Sequence, residues 1–169
     1  AGTGARMTLL LASEDAGATG GYALRIRPAG AGTRAYELEL LRQGTVVARR
    51  QVPAGSEPEV ALRRAGGRLQ GLVDGSLFLD YRDPKPLAGG TRLGFLAEGY
   101  RPRLSGLRLS AANVLNYTFE RAPTDWWVGS GTWDVTNRWS CAPEWSWFGG
   151  ESPLVAAIWQ KRRIKGDVA

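Results

Sequence analysis

The amino-acid sequence predicts an all-β protein, and three features carry that expectation. Apolar and polar side chains alternate with period two through most of 6–159, which is the repeat of a half-buried strand. Breakers rich in Gly, Pro, Asp and Ser recur at short intervals between the alternating runs. The one stretch with helical propensity, 35–50, carries Gly44 at its centre and alternates throughout.

Taken in order, 6–12 is a short apolar strand that ends in the polar, turn-rich 13–17. Residues 22–27 alternate, with Arg25 and Arg27 falling on one face. In 35–41, Tyr36, Leu38 and Leu40 share one face while Glu37 and Glu39 share the other, and Arg42-Gln43-Gly44 turns the chain into 45–49. After a loop at 53–58, strands are expected at 60–63 and 68–73, separated by Gly66-Gly67. Asp74-Gly75, two residues that tolerate positive φ, leads into a strand at 77–81. A strand at 104–110 closes this part of the chain.

The segment 114–147 differs in character, since it holds six of the seven tryptophans. Alternation at 116–121 is broken by Ala122-Pro123-Thr124-Asp125, resumes at 126–128, breaks at Gly129-Ser130-Gly131 and resumes at 132–136, where Trp133 and Val135 share a face. That is the pattern of a meander. Residues 138–150 read as a Pro/Ser/Gly-rich loop, and 153–159 as a further strand.

Two of these stretches are similar to a known family. Tyr117-x-Phe119-x-Arg121, a turn, Trp126-Trp127, then Gly131-x-Trp133-x-Val135 resembles the opening strands of concanavalin A-like (lectin/glucanase) jelly-roll domains. In particular it resembles a bacterial secreted group related to 3-keto-disaccharide hydrolases and sugar-binding modules. Residues 68–99, with Asp74-Gly75 and the run Gly90-Thr91-Arg92-Leu93-Gly94-Phe95, resemble the later strands of the same domains. The resemblance implies an antiparallel two-sheet jelly-roll sandwich, with 1–112 supplying later strands and 113–169 opening strands. The two parts belong to one domain if the order is permuted and to successive domains if it is tandem, and 164–169 resembles the start of a strand that the chain does not finish. Another copy or another chain completing the sandwich is the third arrangement this order suggests. The family likeness also implies a glycan as partner and an extracellular or periplasmic location.

Composition narrows the chemistry. With 169 residues the chain can form one domain with a substantial core or parts of two. No apolar run is long enough for a transmembrane helix, and no stretch reads as a signal peptide, which leaves a cytosolic chain or one already trimmed. Cys141 is the single cysteine and histidine is absent, so an intrachain disulfide, the usual transition-metal sites and Ser-His-Asp triads are excluded within this sequence. No cofactor is expected, and calcium held by oxygen ligands is the one metal chemistry left open. Residues 1–115 carry 16 basic and 10 acidic side chains against 6 of each in 116–169, so the whole net charge of +6 lies in the first part. Interspersed along alternating strands, these arginines read as the solvated face of a sheet rather than a nucleic-acid site. Attraction to an acidic polysaccharide, an acidic protein or a partner chain is the intermediate reading.

Aromatic rings stack on the apolar faces of sugars, which makes Trp126, Trp127, Trp139, Trp145 and Trp147 the candidate glycan platform, with Glu144 as a polar partner. Core packing competes for every one of them, and Trp133 and Trp159, set inside alternating strands, read as core. Glu144 and Glu151 are too far separated in sequence to make a convincing hydrolytic pair, and the Glu-x-Asp-x-x-Glu cluster of laminarinase-like enzymes is missing. Asp80 and Asp83, next to Pro84, read as turn residues, and Cys141 as an inert thiol. No catalytic residue is assigned. The expected function is a non-catalytic extracellular carbohydrate-binding or cell-surface structural module. A carbohydrate-active hydrolase domain and a structural subunit completed by other chains are the alternatives.

Overall fold

The computed structural model describes residues 4–11, 19–30, 33–53, 55–88, 92–99, 103–110, 114–117, 123–136 and 147–162. These residues form β-strands and no helix, so no helix among them is long and apolar enough to cross a membrane. In chain order the strands are β1 (Arg6–Leu11), β2 (Tyr22–Pro28), β3 (Ala35–Arg42), β4 (Thr45–Pro53) and β5 (Val60–Ala65). Next come β6 (Arg68–Val73), β7 (Ser76–Arg82), β8 (Leu93–Glu98), β9 (Arg103–Leu104) and β10 (Leu107–Ser110). The last five are β11 (Val114–Tyr117), β12 (Trp126–Ser130), β13 (Thr132–Thr136), β14 (Trp147–Glu151) and β15 (Val155–Gln160).

All pairings are antiparallel. One seven-stranded sheet runs β12-β15-β8-β1-β2-β3-β4, and three smaller sheets run β5-β6-β7, β13-β14-β9 and β10-β11. Strands β12 and β15 are therefore hydrogen-bonded into the same sheet as β1 to β4, with β8 between β15 and β1. Strand β1 is no edge, because β2 and β8 pair with its two sides. Residues 163–169, which include the further strand expected at 164–169, lie outside the described residues.

Local chemistry explains the hairpins. Gln43 and Gly44 have φ of 47° and 78°, and Asp74 and Gly75 have φ of 50° and 73°, the doubly positive geometry of type I′ turns whose twist matches that of the flanking strands. Each turn fixes its register. Alternation then sends Leu9, Leu24, Leu38, Leu40, Val52 and Phe95 to the inner face of the seven-stranded sheet, where they meet Leu62, Leu69, Val73 and Leu79 of β5-β6-β7 in one core. Gly71 marks a close approach of the two layers, since a Cβ there would lie 3.2 Å from Leu24 Cδ1. Truncating a buried leucine such as Leu40 should cost about 2–5 kcal/mol by the usual transfer-plus-cavity rule.

Several boundaries differ from those the sequence suggests: β4 runs on to Pro53, β5 to Ala65, and β12 continues through Gly129-Ser130, where a break is expected. The single strand expected at 104–110 is split into β9, which pairs with β14, and β10, which pairs with β11, with Ser105-Gly106 between them. The expected loop 138–150 gives up its last residues to β14, which pairs with β13 through Trp133↔Gly150. A glycine was the misleading signal: a Cβ at Gly150 would lie 2.5 Å from the Trp133 ring, so Gly149-Gly150 belongs to a strand that makes room for an indole, not to a turn.

Candidate functional site

The outer face of the seven-stranded sheet, turned away from the three smaller sheets, has two unlike halves. At one end, alternation on β2, β3 and β4 brings Arg25, Arg27, Glu37, Glu39 and Arg49 to one surface, and cross-strand register places Arg25 opposite Glu39, Arg27 opposite Glu37 and Arg49 opposite Glu39. Glu39 accepts from Arg25 Nη1 at 3.1 Å and pairs with Arg49 Nη2 at 2.8 Å and Arg27 Nη2 at 3.6 Å. Its side chain is only 2% exposed. Glu37 pairs with Arg27 and, at 3.4 Å, with Arg49. Farther along, Arg6 reaches Glu98 through two hydrogen bonds of 2.5 Å between β1 and β8. Four arginines thus face three glutamates, and the charges cancel almost completely.

The other end is apolar. Leu10, Ala23, Leu41, Leu96, Ala157 and Trp159 form a second buried cluster with Trp127 packed against it. Trp159 is opposite Gly94 on β8, where a Cβ would lie 2.5 Å from its ring, so glycine is what lets the indole lie flat on the sheet. Trp127 sits opposite Trp159 on the edge strand β12, with ring centroids 6.2 Å apart and planes inclined by 27°. The Arg92 guanidinium lies 5.9 Å from the Trp127 centroid. Trp127 is half-buried, the only indole of this pair with surface left for a ligand.

Two buried polar clusters hold strand ends rather than facing this surface. Tyr22 Oη donates to Asp83 Oδ2 at 2.6 Å, Arg42 Nε donates to the same oxygen at 2.7 Å, and the Lys85 N–H donates to Asp83 Oδ1 at 2.9 Å. The Leu87 N–H completes the cluster by donating to Tyr22 Oη at 2.9 Å. Burial alone would push the Asp83 carboxyl up, but its three hydrogen bonds outweigh burial and hold it below the usual carboxylate range. Burial and the bond to Asp83 push the Tyr22 phenol up, so it stays a donor. In the second cluster Tyr117 Oη donates to Asp125 Oδ2 at 2.6 Å and Gln160 Nε2 donates to the same oxygen at 3.1 Å. Burial, then Asp125, raises the Tyr117 phenol.

Of the sequence-derived candidates, Trp126 and Trp127 are separated by the strand that carries them. Trp126 points to the opposite side of β12 from Trp127, is 6% exposed, and packs between Phe95, 5.8 Å away and stacked, and Tyr117, 5.6 Å away and edge-on. Trp147 begins β14, its backbone opposite Thr136. Trp139, Glu144 and Trp145 lie outside the described residues, as does Cys141. Sequence reasoning missed the arginine–glutamate ladder as a unit, although the signal was there: Arg-x-Arg at 25–27 and Glu-x-Glu at 37–39 stand on neighbouring strands. Among the described residues no three His, Cys, Asp or Glu side chains converge on a point that could hold a metal.

No protein-family model matches this chain, and no curated protein matches its sequence.

Proposed function

We propose that this chain is a non-catalytic carbohydrate-binding module, a jelly-roll sandwich of concanavalin A-like type acting outside the cytoplasm, with Trp127 as its sugar platform. The observation that carries this reading is the half-buried Trp127 at the edge of a broad seven-stranded sheet, with the Arg92 guanidinium beside it. An indole offers a flat apolar face to a pyranose, and a guanidinium offers donors to its hydroxyls. Trp139, Trp145 and Glu144, the other candidates of the same reading, lie outside the described residues. Catalysis is disfavoured by how the buried acids are used. A hydrolytic pair needs one carboxyl raised towards neutrality, whereas the buried Asp83 carboxyl is held low by its donors.

Titration of the full chain with neutral oligosaccharides should change its tryptophan fluorescence. Arg92→Gln should weaken that response and Trp127→Ala should abolish it, with unchanged far-UV circular dichroism in both. A chain with no response across a broad panel of neutral and acidic glycans is not a carbohydrate-binding module. If Trp145→Ala abolishes the response while Trp127→Ala preserves it, the platform lies among residues 138–146 and not on β12.

A further inference from the structure

Cross-strand register assembles a second arginine group on the small sheet β5-β6-β7. Arg63 is opposite Gln70, which is opposite Asp80, and in the next row Ala65 is opposite Arg68, which is opposite Arg82. Cross-strand partners share a face, so these two rows stand on the side away from Leu62, Leu69 and Leu79, which enter the core. Arg63, Arg68 and Arg82 are all exposed. With strands about 4.8 Å apart and a two-residue step of about 6.7 Å, the backbones of Arg63 and Arg82 are about 12 Å apart.

The arrangement is costly for the fold alone, because like charges directly opposite on neighbouring strands repel. Asp80 relieves only part of that. Its two carboxylate oxygens are taken by Arg68, with Nε donating to Oδ1 at 2.7 Å and Nη2 to Oδ2. Among the described residues neither Arg63 nor Arg82 has an ion-pair partner. Neighbouring arginines are engaged elsewhere: Arg64 donates to the Leu87 carbonyl and covers the Tyr22 ring, and Arg50 lies over Phe78.

We propose that this face of β5-β6-β7 binds an acidic polysaccharide, with Arg63 and Arg82 receiving sugar carboxylates and Gln70 and Asp80 meeting sugar hydroxyls. A guanidinium fork matches a carboxylate in shape and charge. The surface also discriminates against other polyanions. It presents no aromatic ring in these two rows on which a base could stack, and Asp80 at the β7 end of its row repels a densely charged phosphate backbone while its remaining lone pairs accept hydroxyl hydrogens. The proposal rests on the carbohydrate-binding reading above and names a ligand class for it, at a face separate from Trp127.

The test uses the full chain with polygalacturonate as the acidic glycan, the neutral panel above, oligo-dT and phosphatidylserine vesicles. Arg63→Gln/Arg82→Gln should weaken polygalacturonate binding about tenfold, as expected for two exposed charge-assisted contacts, and leave the neutral-glycan response intact. Arg34→Gln/Arg108→Gln removes two other exposed arginines and the same charge, and should change the affinity less than about twofold. Equal losses in the two double variants reduce the effect to net charge and overturn the proposal. Tighter binding to oligo-dT or to vesicles than to polygalacturonate also overturns it. If neutral glycans bind and polygalacturonate does not, this proposal falls while the carbohydrate reading stands, and if neither binds, the reading itself falls.

Discussion

On the seven-stranded sheet, Arg25, Arg27 and Arg49 meet Glu37 and Glu39 across three adjacent strands, while on the three-stranded sheet Arg68 stands opposite Arg82 with Asp80 beside them. Both combine arginines with carboxylates, and the same alternation places them. What differs is the carboxylate. The Glu39 side chain is 2% exposed and Asp80 is 38% exposed, so the first cannot rely on water and the second can. A carboxylate taken out of water must be matched by donors or it destabilises the fold, which makes the ladder a structural device. An exposed pair contributes little to stability and leaves its neighbours available to a ligand.

The largest contrast is expected from removing each carboxylate in turn. Glu39→Ala strips three arginines of their shared partner and should lower unfolding free energy by about 2–3 kcal/mol, the usual worth of hydrogen bonds to a buried charge when the partners left behind, 26–54% exposed, can return to water. Asp80→Ala should leave the urea midpoint where the wild type has it. Equal midpoints for the two variants would break the contrast between the faces.

A smaller effect is expected where the sheets are tied together. Tyr22→Phe keeps the ring beneath Arg64 but removes the hydroxyl that donates to Asp83 and accepts from the Leu87 N–H. Leaving those buried groups short of a partner should cost about 1–3 kcal/mol in chemical denaturation. The same cluster sets an acid response. Because the Asp83 carboxyl lies lower in the folded chain than in the unfolded one, its contribution is complete above the unfolded value of about 3.9 and is lost as pH falls through the folded value. Thermal stability should therefore drop in the wild type as the pH falls below about 4. Asp83→Asn should flatten the part of that drop that belongs to this residue.

The smallest predicted change sharpens the comparison from the ligand side. Asp80→Asn removes the one negative charge among Arg63, Arg68 and Arg82 and should tighten polygalacturonate binding by about threefold, measured by calorimetry at low salt. Weaker binding in this variant would instead mean that Asp80 contributes more through sugar hydroxyls than it costs through charge.

How far the sequence reaches can be judged from the same residues. Gln43-Gly44 and Asp74-Gly75 announced their hairpins because positive φ is a local requirement that few residues meet. The alternation of Tyr36, Leu38 and Leu40 against Glu37 and Glu39 gave the correct face of β3 because successive side chains of a strand point to opposite sides. Partnership was not legible. That Glu39 meets Arg25 and Arg49 depends on register, and that β8 lies between β15 and β1 depends on contacts far apart in sequence. Glycine was ambiguous throughout: Gly44 marks a turn, whereas Gly94 and Gly150 lie within strands beneath Trp159 and Trp133. Trp126 and Trp127 are adjacent in sequence, yet the strand between two faces sends one into the core and leaves the other half-buried.

The division of labour between the two faces is tested most directly by measuring stability and polygalacturonate affinity on the same two variants, Arg27→Gln and Arg82→Gln. Arg27 serves Glu37 and Glu39, so its loss should lower the urea midpoint and leave affinity within about twofold of the wild type. Arg82 has no such duty, and its loss should leave the midpoint unchanged and weaken binding about threefold. If both variants lose stability without losing affinity, or both lose affinity to the same extent, the two arginine faces do the same work and the account is contradicted.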